Sequence, residues 1–547
     1  MLYLCSKLYS ILENNIIETC ELDDQKCLNR DNQTNKCLNC ISNYYLVNGL
    51  CKPYSFMATY YNDNEDKEIQ LIDGAYRFYI MGMYINNTNI DIKTSYKFSS
   101  IGNHTIYFYM NISSIPSLSA MFSKIEKMTS INFTPEFNTK NIKTMNKMFS
   151  SCISLTSIDL SSFITSSVTN MFNMFFNCTS LVSLNISNFD TSNIQDMSDM
   201  FRNCSKLTEL DLSTFDTSNV LGMNNLFSGC SSLTSINLSN FNTSKVQSMV
   251  AMFNRCYSLT SINLDSFDTS SVESMADMFS YCTSLTELDI SNFYTSSLTD
   301  MTHMFGDCRS LISIDISNFD TSKVTSMQLM FYQCNSLISL DISNFDLLNV
   351  KDMNNMFLSC YSLISINLPK CKKSSVTTLF NLFFNCTSLV SIDFSTFDTS
   401  SVTDMVEVFY NCSSLVSINL DNVDTSSVTA MVDMFEGCHS LTSINMSSFD
   451  TSNVEYINGM FRNCFSLTSV DFSTFNTKKF KGIEGLFYNC NKLSYIDIST
   501  FHESLKYDEK LFEGLSNSGE IIINKDISKA INPIFESLEL DWTITEK

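Results

Sequence analysis

Residues 148–173 read MFSSCISLTSIDLSSFITSSVTNMFN, and residues 174–199 start the pattern again as MFFNCTSLVSLNISNFDTSNIQDMSD. Working outward from this pair, the cysteines of successive copies are Cys152, Cys178, Cys204, Cys230, Cys256, Cys282 and Cys308. They continue as Cys334, Cys360, Cys386, Cys412, Cys438, Cys464 and Cys490, every step being 26 residues. Fourteen units in strict register mean a stacked repeat, because each unit is one supersecondary element too small to bury its own apolar face. A degenerate copy without Cys precedes them (Met121, Phe122, Met128, Ile131), and another follows at Leu511 and Phe512. Atypical end copies shield a stack from water.

Each unit has two periods. Ile158 and Leu160 alternate with Asp159, which predicts a short strand with the apolar pair inward, and L-x-x-I-x-L is the strand spacing of leucine-rich repeats. Val168, Met171, Met174, Phe175 and Cys178 follow at spacings of three and four, which predicts a short helix. Ser192 with Gln195, Ser244 with Gln247, Ser270 with Glu273 and Ser452 with Glu455 have capping-box spacing at its start. The expected fold is a leucine-rich-repeat-like solenoid of about 14 regular 26-residue coils, each a short strand plus a short helix, with degenerate end coils. Helices need more room than strands, so the strand face should be concave.

Composition agrees with one turn used many times. The chain has 13 Gly and 5 Pro in 547 residues, where average usage of the two is about 12%. Asn, Asp, Ser and Thr must therefore make the turns. The net charge of −23, from 34 basic and 57 acidic residues, disfavours nucleic acid or an anionic membrane as partner. No uncharged apolar run of about 18 residues suggests a membrane span. The start, MLYLCSKLYSILENN, reads as a poor signal peptide, with Lys7 in the apolar run and no clear cleavage site.

The string F-x-x-C-x-S-L-x-S-I-x-L-S over 121–515 resembles the repeat of BspA-like leucine-rich repeat surface proteins, in the F-D-T-S-x-V-x-x-M subtype of mycoplasma-type lipoproteins. The resemblance implies a cell-surface or secreted setting and a binding role like that of adhesins. The segment CLNCISNYYLVNGLC similarly resembles growth-factor-receptor-like and furin-like cysteine-rich modules. Together these set the expected organisation: an uncertain N-terminal segment 1–19, a cysteine-rich module 20–52, a β-rich cap 53–120, the solenoid 121–515 and a C-terminal cap 516–547.

Cys20, Cys27, Cys37, Cys40 and Cys51 crowd into 32 residues, which suggests a small disulfide-stapled module, with Cys5 as a candidate sixth partner. The alternative is a zinc knuckle on Cys37 and Cys40, for which one C-x-x-C is thin support. The fourteen repeat cysteines read as buried thiols, with inter-coil disulfides as the alternative. Cys371 lies outside their column. It takes the slot of Phe345 and Phe397 in the flanking units, beside Pro369, Lys370, Lys372 and Lys373.

The outward strand positions form polar columns. Asp159, Asp211, Asp289, Asp315, Asp341 and Asp393, interleaved with Asn, are the candidate binding face. Three uses stay open: a solvated surface, weak calcium binding along Asp289, Asp315 and Asp341, or a protein or glycan partner on the concave face. The acids Asp190, Asp216 and Asp268, just before Thr-Ser, suit a helix N-terminus. Sequons at Asn86, Asn103, Asn111 and Asn177 permit glycosylation.

No enzyme is expected. His104, His303, His439 and His502 are isolated in sequence, and G-x-S-x-G, P-loop and H-E-x-x-H motifs are absent. No cofactor or metal is expected either, and the chain should be monomeric. Residues 76–80 and 105–109 read as cap strands, 520–524 as a last strand, and Trp542 as a lid. The function expected is a non-enzymatic extracellular or cell-surface binding protein, the alternatives being an intracellular scaffold or a structural coat without a ligand.

Overall fold

The computed structural model describes residues 27–30, 37–40, 44–47, 50–86, 88–371 and 373–547. Segment 1–19, Cys5, Cys20 and Lys372 lie outside them. The chain is a leucine-rich-repeat-type solenoid of about 16 stacked turns with a 26-residue period. Three joints recur along the backbone and turns of its coils.

The first joint is where the sequence predicts a helix, and no helix forms there. The amides of Asn173, Phe175 and Asn177 donate to the carbonyls of Ser198, Met200 and Arg202 in the next coil, at 3.1, 2.9 and 2.7 Å. The amides between them, of Met174, Phe176 and Cys178, donate three residues back to Met171, Asn173 and Phe175. Amides therefore point alternately within and between coils, which an α-helix cannot do, because all its amides point along one axis. The alternation needs left-handed residues, and Asn173 and Asn177 each have φ of 58°. All fourteen coils repeat this before the Met slot and before the Cys, mostly with Asn, Asp or Gly, the residues that tolerate it best. Gly229 shows why one slot is tight: a Cβ there would stand 3.3 Å from the Cα of Asn203. Successive three-residue turns put Met171, Met174 and Cys178 on one side, so they mimic the apolar spacing of a helix.

The second joint is an unbroken parallel ladder of single bridges from Ser117 to Gly482, one per coil, at the residue before the second Met. The third is a threonine hydroxyl. Thr191 Oγ1 accepts from the Asp216 amide at 2.8 Å and donates to the Asp216 carbonyl at 2.9 Å. Buried Thr165, Thr217, Thr243, Thr269, Thr295 and Thr321 repeat it.

The L-x-x-I-x-L stretch places Ile and Leu inward as expected, but pairs only in places. Ser339–Asp341 pairs in parallel with Ser365–Asn367, and Ser391–Asp393 with Ser417–Asn419. No strand is assigned between residues 160 and 338. The expected concavity rested on wide helices opposite, and that premise fails with them.

The core is columnar. Thirteen successive ring pairs from Phe122 to Phe461 stack at 5.2–5.9 Å. Beside them every repeat cysteine is a buried free thiol. Each donates to a Phe carbonyl of the preceding coil at 3.0–3.3 Å, as Cys204 does to Phe175. Burial pushes the thiols of Cys204, Cys256 and Cys360 up to about 12.

The caps continue the stack. The first coil's strand, Met128–Phe133, pairs in parallel with Ser157–Asp159 and antiparallel with Phe56–Asn62; Phe56–Asn62 pairs on with Gly102–Met110, and that strand with Ile80–Ile85. The predicted strand at 76–80 is instead a 3-10 helix, Gly74–Tyr79, started by Asp73, whose carboxylate accepts from the Ala75 amide at 2.8 Å. At the other end Ser469–Asp471, Tyr495–Ile498, Ser518–Ile523 and Asp541–Glu546 form a parallel sheet. The strand predicted at 520–524 is thus the penultimate one, followed by the α-helix Ser528–Ser537. Trp542 is buried on the last strand, edge-on to Phe535 at 5.8 Å.

Candidate binding face

The six candidate acids all stand exposed in one outward column, and each closes its own turn. One carboxylate oxygen accepts the amide two residues on: Ser161 for Asp159, Ser213 for Asp211, Ser291 for Asp289, Ser317 for Asp315, Ser343 for Asp341 and Ser395 for Asp393, all at 2.9–3.0 Å. These bonds to Ser hold Asp211, Asp289, Asp315, Asp341 and Asp393 below the usual carboxylate range. Asn substitutes in the same column because its side-chain oxygen makes the same turn, as Asn185 does with the Ser187 amide at 3.2 Å. The column brings Asp289, Asp315 and Asp341 into successive coils. Among the described residues it gathers no three carboxylates with oxygens within 4.8 Å of one another.

The second acid column works similarly. Asp190, Asp216 and Asp268 accept the amides of Ser192, Ser218 and Ser270 at 3.1, 2.9 and 3.0 Å. The serines at the expected capping boxes thus donate to the preceding Asp or Asn, and no helix follows for them to cap. The acids are structural, but through turn closure rather than a helix dipole.

Between coils the face dips. A depression of about 890 Å³ crosses three coils, lined by Leu184, Asn185, Glu209, Asp211, Ile236 and Asn237 among others. A smaller one, about 420 Å³, lies at the irregular unit, lined by Phe345, Asp346, Leu348, Lys370, Cys371 and Lys373. Its cause is local. Leu347 and Lys373 fall in the Thr slot of two successive coils, so the hydroxyl joint is missing there. Cys371 is a half-buried free thiol, and burial pushes its pKa up.

One column of the face escaped the sequence reading. The residue after the repeat Leu is Thr208, Thr234, Thr260 and Thr286 in four successive coils, then Ile312, Ile338, Ile364, Val390 and Val416. These five are 44–49% exposed. The signal was present in the sequence as a run of five aliphatics at one repeat position, visible only when copies are compared region by region. His303, isolated in sequence, bonds Asp277 of the preceding coil at 2.7 Å with Tyr281 edge-on at 5.5 Å, on the turn side.

In the N-terminal module Cys27 is bonded to Cys37 and Cys40 to Cys51. The hairpin of Tyr44–Val47 and Leu50–Pro53 lies on the cap, with Tyr45 stacked 3.7 Å from Tyr107. Among the described residues no helix is long and apolar enough to cross a membrane.

The stacked 26-residue unit matches the family model described as "Mycoplasma protein of unknown function, DUF285" over residues 92–208, 176–287, 257–368 and 377–501. The chain belongs to this family. Each DUF285 match spans several coils, the first three overlap, and together the four cover most of the solenoid. No curated protein matches the chain significantly. Among solved structures, a leucine-rich repeat protein from Eubacterium ventriosum is similar at 18% identity over 71% of this chain and 83% of that one, TM-score 0.29. A TLR13–ssRNA13 complex is similar at 15% identity over 72% and 54%, TM-score 0.17. The functional domain of InlJ from Listeria monocytogenes, which includes a cysteine ladder, is similar at 13% identity over 73% and 69%, TM-score 0.15.

Proposed function

We propose that this DUF285 chain is a non-enzymatic surface or secreted protein of BspA-like, adhesin-like character that binds protein or glycan through its strand face. The observation that carries the reading is the Ile312–Val416 column: exposed aliphatics beside an acidic column make a surface with both apolar and polar contacts to offer. The pairs Cys27–Cys37 and Cys40–Cys51 support an oxidising setting. A second reading, a structural coat without a specific ligand, draws support from the acids, since each candidate Asp already closes a turn. Two measurements test the proposal. Antibody should label unpermeabilised cells, and the full chain should retain binders on arrays of proteins and glycans. Labelling only after permeabilisation overturns the surface setting. An empty array with surface labelling leaves the coat reading standing and removes the binding one.

A further inference from the structure

The aliphatic column deserves a partner of definite shape. We infer that Ile312, Ile338, Ile364, Val390 and Val416 form a docking strip for a basic amphipathic α-helix, an inference that rests on the strand face being the binding surface.

The fold does not require aliphatic residues there. Eight of the nine other units carry Thr or Ser at this position, Val182 being the exception. Strand pairing does not require them either, since Ser157–Asp159 and Ser469–Asp471 form directly after Thr156 and Thr468. Thr and Val have the same shape and Ile adds one methyl, so the change removes a hydroxyl, which in Thr156, Thr260 and Thr468 donates to a carbonyl of the preceding coil at 3.0–3.4 Å, and puts apolar surface in its place. Five consecutive losses of a hydroxyl on an exposed face make a continuous apolar ridge, and such ridges mark contact surfaces.

The spacing selects the occupant. The strip's own backbone is laddered: the amides of Ile338, Ile364, Val390 and Val416 donate to the carbonyl at the same position of the preceding coil at 3.2, 2.8, 3.2 and 2.9 Å, which sets the rungs about 4.8 Å apart. An α-helix lying along the stack advances 5.4 Å per turn and drifts by only about 0.6 Å per rung, so one apolar side chain per turn stays within about half a rung over all five. An extended peptide repeats its same-side residues every 6.4–6.8 Å and falls out of step within a few rungs. Five rungs extend about 19 Å, the length of about 13 helical residues, which a 15-residue helix covers.

The charge selects its flank. The serines next to the strip, such as Ser339 and Ser365, are small and leave it unobstructed. Beyond them stand Asp315, Asp341 and Asp393, which favour lysine or arginine on a bound helix. Arg309 at one end is already paired with Asp307 at 2.7 Å. Lys370 lies near Asp341 and Asp393 and offsets part of their charge.

The test uses the full chain and two fluorescent synthetic 15-residue peptides of one Leu/Lys composition. One forms a single leucine face as a helix, and the other distributes its leucines so that no face forms. Anisotropy at low salt should show saturable binding of the first, with the second at least about tenfold weaker. Ile338→Thr, Ile364→Thr and Val390→Thr together should weaken the first about tenfold with an unchanged circular dichroism spectrum. Should that variant misfold, Ile364→Thr alone with Asp341→Asn and Asp393→Asn provides the second reading of the same loss. Equal binding of both peptides, no binding, or no loss in a folded variant overturns the inference. Array binders that persist while the helical peptide fails would refute the helix alone and leave the binding function intact.

Discussion

The coils carrying Thr208 to Thr286 and those carrying Ile312 to Val416 have one core and two faces. Inside, the ring column runs at 5.6–5.9 Å through the first set and 5.2–5.8 Å through the second. Outside, the first set has no assigned strand, and the amides of Thr208 and Thr260 reach the preceding coil only at 3.3 and 3.2 Å. In the second set all five reach it, Ile364 and Val416 at 2.8 and 2.9 Å and Ile312, Ile338 and Val390 at 3.2–3.3 Å, and strands appear. The fold is therefore held by the ring column, the turn amides and the bridge ladder, which do not change. The strand face is left to vary, and that is where one region can acquire a task that another lacks.

The largest effect should come from the shared core. Phe305 is fully buried, with Phe279 at 5.9 Å and Phe331 at 5.4 Å. Phe305→Ala should cost about 3–5 kcal/mol, seen as loss of hydrogen-exchange protection in the coils on both sides. Protection that changes only on one side would mean that the two regions do not share a continuous core.

Next is the hydroxyl joint, intact at Thr243 and absent at Leu347. Thr243→Val keeps the shape and leaves the Asp268 amide and carbonyl without their partner, a loss of about 1–3 kcal/mol. Thermal unfolding should register it. A neutral result would show that the joint is decorative, and that its absence at the Cys371 notch has no structural consequence.

The pH dependence separates a third region. Glu436 is buried against Asp433, with Arg462 Nη1 at 2.9 Å, and burial raises its pKa to about 7. The folded state then holds a proton that the unfolded chain releases near 4.5, so stability falls as pH rises from about 4.5 to about 7. The turn-closing acids act with the opposite sign. Asp216 and Asp268 are lowered, so their contribution is present above the unfolded carboxylate pKa and lost as pH falls through the folded one. Melting temperature should therefore decline on both sides of a mildly acidic maximum. Glu436→Gln should flatten the neutral side alone.

These contrasts also show what the sequence could tell. The period, the thiol column and the ring column were legible because they repeat without exception. The helix was misread because turns closed at three residues give the same apolar spacing. What distinguished them was present: Asn, Asp and Gly recur before the Met and before the Cys, where φ is positive. The column of acids was legible as a column, but its turn-closing bonds depend on backbone direction that spacing does not reveal. The aliphatic strip was hidden by reading the first copies as typical of all.

The left-handed slots give a moderate effect with a favourable sign. Leu329 holds φ of 58° where neighbouring coils use His303 and Asn355. Leu329→Asn should stabilise by about 1 kcal/mol, because Asn tolerates the left-handed conformation through local hydrogen bonds that Leu cannot make. A lower melting temperature would mean that Leu329 has packing worth more than the strain.

The smallest effect is the one that sharpens the comparison most. Ile338→Thr gives the second region the residue of the first, at a site 46% exposed. If aliphatic character there serves contact with a partner, stability should change by no more than about 0.5 kcal/mol. A loss of 2 kcal/mol or more, on the order of a buried aliphatic side chain, would return the strip to the fold. The strands of the second region would then be the reason for its isoleucines, and the two faces would differ in how tightly they pair rather than in what they bind.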